Sequence, residues 1–239
     1  MSHLMPNHPS ALKSEINSFM KFRKILLSIA FFLGVFSASA SEPEEFFSTE
    51  PADQLFTFGA RLGINASNRT FPSNVFNKWD SNSWGTGIDV GAIANINFRD
   101  YLSVQPGIFF ESRSGNFSYV FDDIYQLGHL RSYNFTVPIM GIVKFNVLEE
   151  LRWLVELGPY FQFRIHSSDG NQILLPATIF GNRYAETNFF DFGIKIGTGL
   201  MLWNHYYFGI HYMAGMLNVW KLPEGGKNKA WTFTLGYDF

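Results

Sequence analysis

The feature that most constrains this chain is a period of two that recurs along most of its length and is cleanest at its end. In Trp231-Thr232-Phe233-Thr234-Leu235-Gly236-Tyr237-Asp238-Phe239, every odd position carries a large apolar or aromatic side chain. Every even position is a hydroxyl, a glycine or a carboxylate. Successive side chains of a strand point to opposite faces, so one face of this strand lies in an apolar medium and the other in a polar one. A single strand of this kind could be the edge of a soluble sheet. The rest of the chain repeats the pattern.

Seven earlier segments alternate in the same way: Leu55–Asn65, Thr86–Phe98, Leu102–Arg113, Leu130–Phe145, Arg152–Arg164, Asn188–Leu202 and Tyr206–Met216. Each is long enough for a tilted membrane strand of about 9–11 residues. Their apolar faces carry residues such as Phe58, Leu62, Val90, Ile139, Leu157, Ile194 and Ile210. The connections alternate too. Residues 66–85, 114–129, 165–187 and 217–229 read as long loops, and residues 99–100, 146–151 and 203–205 as short turns. An up-and-down barrel puts odd connections at one end and even ones at the other. The expectation is an all-β, eight-stranded antiparallel up-and-down transmembrane β-barrel over residues 54–239, with both termini periplasmic. Pro106 removes a ladder donor, so a bulge or local irregularity is expected in the third strand.

Composition agrees with this and excludes other classes. Aromatics reach 18% and charged residues only 16%. No stretch of residues 41–239 offers about 18 consecutive apolar residues, so no spanning helix is expected. There is no cysteine, which rules out disulfides, thiolate metal sites and a lipidated cysteine. The net charge of −2 leaves no electrostatic footprint for nucleic acid.

The N-terminal stretch reads as an address. Met20-Lys21-Phe22-Arg23-Lys24 is a basic n-region, Ile25–Phe36 an apolar h-region and Ala38-Ser39-Ala40 a small-residue cleavage site. Residues 20–40 are therefore expected to be a signal peptide cleaved before Ser41. Residues 1–19 are not signal-like and read as a non-native or mis-called leader. Ser41–Asp53, with four Glu and one Asp, reads as an acidic periplasmic tail.

Three strands carry a resemblance. Phe135-Thr136-Val137-Pro138-Ile139, Val155-Glu156-Leu157-Gly158-Pro159-Tyr160 and the stretch from Phe190-Asp191-Phe192-Gly193 to Gly199-Leu200 are similar to segments of PorT-like outer-membrane β-barrel proteins. The resemblance covers most of residues 54–239. It implies the barrel fold, the outer membrane of a Gram-negative bacterium, and a role in envelope maintenance or in assisting protein secretion. It brings no catalytic residues.

Candidate chemistry is sparse. Gly193, Gly197 and Gly199 lack the Lys-Ser/Thr follower and helix start of a phosphate loop, and read as strand glycines. His129, His166, His205 and His211 show no metal-ligand spacing, so no metal and no cofactor is expected. His166, Ser167, Ser168 and Asp169 supply the residue types of a lipid hydrolase, yet neighbours in one loop rarely adopt triad geometry. The polar faces converge on the lumen. Arg61, Asp89, Glu111, Arg113, Lys144, Glu156, Asp191 and Lys195 are expected there as a structural network, bonded to Asn95, Gln105 and Asn134. Arg152 and Arg164 are expected to reach solvent at strand ends. Trp79, Trp84, Phe121 and Tyr125 fall in the long loops and are a candidate surface for a protein or glycan partner. Phe239 looks like the terminal aromatic signal read by the barrel-assembly machinery. The sequence thus favours a non-enzymatic, monomeric barrel in contact with outer-membrane lipid. A lipid-modifying enzyme and a small pore or ligand-binding barrel are its rivals.

Overall fold

The computed structural model describes residue 46 and residues 48–69, 79–121, 124–169, 188–219 and 226–239. Residues 1–40, read as leader and signal peptide, and residues 41–45 and 47 of the acidic stretch lie outside the described residues. Eight strands follow in chain order: β1 (Phe56–Arg69), β2 (Trp79–Arg99), β3 (Leu102–Phe121), β4 (Ile124–Leu148), β5 (Leu151–Asp169), β6 (Phe190–Leu202), β7 (Tyr206–Gly215) and β8 (Asn228–Asp238). Each pairs antiparallel with the next, and β8 returns to β1 from Gly59↔Asp238 to Arg69↔Asn228. The sheet closes on itself, so the wall has no edge through this band.

The faces follow the alternation. On β8, Trp231, Phe233, Leu235 and Tyr237 are exposed while Thr232, Thr234 and Asp238 are buried. The outward face carries an aliphatic band, with Leu62, Ile64, Ile88, Ile108, Leu157 and Leu235 each more than half exposed. Aromatic pairs border it. Toward the short turns lie Phe145–Trp153, Trp203–Tyr206, Tyr206–Tyr237 and Tyr237–Phe239. Toward the other end lie Phe110–Tyr133, Phe163–Phe190 and Tyr212–Trp231. The interior is mostly polar, with small apolar clusters around Met140, Ile142 and Leu154 and around Tyr160 and Met213.

Short turns lie at 100–101, one residue beyond the expected 99–100, at 149–150, within the expected 146–151, and at 203–205 as expected. The last is a tight reversal with both central residues left-handed, Trp203 at φ 50° and Asn204 at φ 60°. His205 N donates to Leu202 O at 3.0 Å across it, the geometry of a type I′ hairpin.

All four expected long loops are corrected: residues 165–169 of the third belong to β5 and residues 228–229 of the fourth to β8. Of the expected loop 66–85, residues 66–69 extend β1 and residues 79–85 belong to β2. Of the expected loop 114–129, only residues 122–123 separate β3 from β4, which pair as far as Phe121↔Ile124. Trp79, Trp84, Phe121 and Tyr125 therefore lie in strands, not in loops. The physical reason is that lipid imposes the alternation. Beyond the apolar band that constraint is gone, and a strand such as Ser112–Tyr119 loses its dyad signature without ceasing to be a strand.

Pro106 causes no bulge. The register of β3 is the same on either side of it against both neighbours; the irregularity is an interrupted ladder, with no bridges at Ala94 and Asn95 on β2 or at Pro138 and Val137 on β4. The register shifts lie elsewhere, at Trp79/Ser81, Trp84/Asp89 and Asn97/Arg99 on β2 and at Tyr133/Asn134 and Asn146/Leu148 on β4 opposite β5.

Candidate functional site in the lumen and the raised strands

Inward positions on neighbouring strands bring charged groups together in linked clusters. Nearest the short turns, Arg61 Nη1 donates to Asp238 Oδ1 at 2.5 Å, with both side chains buried. Asn95 Nδ2 donates to Asp238 Oδ2 at 3.1 Å, and Gln105 Nε2 donates to Asn95 Oδ1 at 2.7 Å. The Arg61 guanidinium lies 4.5 Å from the centre of the Tyr207 ring. Tyr207 Oη donates to Glu156 Oε1 at 2.5 Å, and His211 Nε2 lies 3.0 Å from Glu156 Oε2.

Further in, Arg113 Nη2 donates to Glu111 Oε2 at 2.7 Å, and Gln162 Nε2 bonds the same oxygen at 3.0 Å. Asp89 accepts from Asn65 Nδ2 at 2.5 Å, and Asp191 accepts from Asn228 Nδ2 at 2.7 Å. Lys195 has no carboxylate within 4.0 Å among the described residues; its Nζ sits 5.1 Å over the Phe109 ring. Lys144 lies closer to the short-turn end and donates to Asn97 Oδ1 at 2.9 Å.

The seven residues Arg61, Asp89, Glu111, Arg113, Glu156, Asp191 and Lys195 are all buried in the lumen. Their partners are largely not one another. Only Arg113 and Glu111 form an ion pair within the set. Neutral amides, a tyrosine and a histidine meet most of the rest. Asn134 contributes one long bond, 3.4 Å to Ser132 Oγ. Arg164 is corrected: it is buried and donates to Asn188 O at 2.8 Å, whereas Arg152 is partly exposed and paired with Asp100 at 2.8 Å.

Tyr160 and Asn97 fall on the inward faces of β5 and β2, where the alternation puts them, whereas Asp238 and Tyr207 are lumen residues that the sequence reading did not single out. The signal was present, since each sits at an inward position of its strand. Tyr207 was masked by two more aromatics beside it, Tyr206 and Phe208, both outward. The inward glycines make room for these large groups. A Cβ on Gly199 would lie 2.6 Å from the Tyr207 ring, and one on Gly197 would lie 2.2 Å from the His211 ring. An eight-stranded interior is only about wide enough to be filled by side chains, so each large ring needs a bare backbone opposite it.

At the other end the wall is uneven. β2 to β5 have 21, 20, 25 and 19 residues, against 13, 10 and 11 for β6 to β8. β1 stops pairing with β2 at Ser67↔Gly85, and β5 pairs with β6 only to Phe163↔Phe190. A sheet of four strands therefore rises past this level, with Trp84 exposed at its base. His166 to Asp169 lie consecutively in β5, in that raised part, and the His166 ring stacks on Tyr133. Among the described residues no group of His, Cys, Asp and Glu could hold a metal ion.

A closed barrel with an aliphatic belt outside, aromatic girdles at its borders and charges within is built to stand in a bilayer. The chain is a transmembrane β-barrel. Residues 40–220 match the family of outer membrane protein beta-barrel domains, and the chain belongs to that family. No curated protein matches. Among solved structures it is similar to OprG of Pseudomonas aeruginosa, at 11% identity over 81% of this chain and 99% of that one, with TM-score 0.45. It is also similar to Ail of Yersinia pestis in complex with the heparin analogue sucrose octasulfate. There the identity is 14% over 78% of this chain and 100% of that one, with TM-score 0.40. Neisserial surface protein A aligns at 7% identity over 76% and 97%, with TM-score 0.41.

Proposed function

We propose that this outer-membrane barrel is a non-enzymatic, monomeric envelope protein of a Gram-negative bacterium whose raised strands engage a protein or glycan partner. The observation that carries this is the height of β2 to β5. A membrane strand needs about 9–11 residues, so roughly half of each of these strands stands outside the bilayer. Four long paired strands offer a partner a surface already ordered, which lowers the entropy lost on binding. The lumen network serves the wall by filling it, and Phe239 serves assembly. In this reading the acidic tail and both termini are periplasmic, and the mature chain begins at Ser41. The PorT-like character of the strands around Pro138, Pro159 and Gly193 supports a place in envelope maintenance or secretion.

A photo-crosslinking amino acid at Trp84, used in intact envelopes, tests the reading. A protein or glycan adduct is expected there and absent when the same group replaces Phe233, which meets lipid. Lipid adducts alone at both positions would sink the proposal.

A further inference from the structure

At the end opposite the raised strands, the lumen opens as a cup of about 320 Å³. That is within the range of small-molecule pockets, roughly 300–1,000 Å³. We propose that this cup binds a small organic anion, a carboxylate on an apolar body. The site does not rest on the partner reading, since it lies at the other end of the barrel.

The walls are two-sided. Asn95, Asn97 and Gln105 line one part; Ile142, Leu154 and Met201 line another. The last three belong to the apolar cluster of the lumen, so the apolar wall is fixed by packing. Of the acidic side chains at the cup, Asp238 is taken by Arg61, and Asp100 by Arg152. Asp53 stands exposed at the rim. Lys144 is different: its ammonium meets only the neutral Asn97 amide oxygen and has no carboxylate within 4.0 Å among the described residues. An ammonium has three donors, so two remain for a ligand, beside an apolar wall.

The cup is built rather than left over. Residues 50–55 are bound to its rim: Asn97 N donates to Leu55 O at 2.8 Å, Asn97 Nδ2 to Gln54 O at 3.0 Å, and Asp100 N to Glu50 O at 3.1 Å. Trp203, from the type I′ hairpin between β6 and β7, also lines the mouth. It is held there by Trp203 N donating to Glu150 O at 2.8 Å and by its indole N–H donating to the Glu150 carboxylate. Behind Asp238, the Arg61 guanidinium over the Tyr207 ring closes the way inward. The cup is a dead end, which suits retention and not passage.

The test uses the barrel refolded in nanodiscs with ¹³C-methyl methionine, titrated with 3-phenylpropionate and with 3-phenylpropanol up to millimolar concentrations. The acid is expected to shift the Met201 methyl signal while Met213 and Met216, in the other half of the barrel, stay in place. The alcohol is expected to bind at least about tenfold more weakly, as loss of a charge-assisted hydrogen bond implies. Lys144→Gln should weaken the acid by a similar factor. Asn97→Asp, which gives Lys144 a carboxylate at almost unchanged volume, should do so as well. Heat-dependent migration on a gel checks that both variants fold. No Met201 shift, equal shifts at Met213, equal binding of acid and alcohol, or undiminished binding in whichever variant folds would each overturn the proposal.

Discussion

Replacing Asp238 with alanine is expected to destabilise the refolded barrel by about 3–5 kcal/mol, the usual cost of breaking a buried ion pair by removing one partner. Arg61 would keep its charge in the lumen with its 2.5 Å partner gone, and Asn95 would lose its acceptor. The position magnifies the effect. Asp238 sits opposite Gly59 on the seam where β8 closes against β1, and the next residue, Phe239, donates its N–H to Phe58 O at 2.8 Å. Urea titrations in lipid vesicles measure it. The double variant Arg61→Met with Asp238→Ala should recover a large part of the loss, because it removes the stranded charge as well. A cost below about 1 kcal/mol in the single variant would mean that Arg61 is solvated and the lumen wet.

The second large effect lies on the outer face of the same strand. Leu235 is more than half exposed and sits between Leu62 of β1 and Phe208 of β7, both also outward. Lysine there meets hydrocarbon and is expected to cost about 2–4 kcal/mol, whereas near the interface it should cost about 0–1 kcal/mol. Tyr237 lies two residues on, in the aromatic girdle at the short-turn end, and supplies that comparison. Refolding titrations should therefore rank Leu235→Lys well above Tyr237→Lys. Equal costs would place the bilayer elsewhere on the wall.

The part of the fold that touches lipid was legible in the sequence because lipid writes a period of two into every strand it meets. β6 and β7 differ from the expected ranges by one or two residues. Above the membrane nothing writes that period, so the upper parts of β2, β3, β4 and β5 read as loops although they are paired strands. The candidate lumen residues were legible one at a time, by their facing. Their pairing was not, since it depends on the stagger of strands around the barrel. Arg61 on β1 meets Asp238 on the far end of the chain, and Glu156 on β5 meets Tyr207 and His211 two strands away. The cup was illegible for the same reason. Lys144 and Asn97 are 47 residues apart and share the lumen only because β2 and β4 flank β3.

The central claim is a wall in lipid around a filled interior. Arg61, Tyr207 and Glu156 form one buried group in the lumen and Arg113 and Glu111 another, and with Tyr160 and Met213 fully buried as well no water-filled path is expected. Single-channel recording in planar bilayers tests this directly. The predicted result is no stable conductance step from the purified, folded barrel, in the native chain or in Lys195→Glu. A reproducible conductance whose ion selectivity changes in Lys195→Glu would contradict the account and make the lumen a pore.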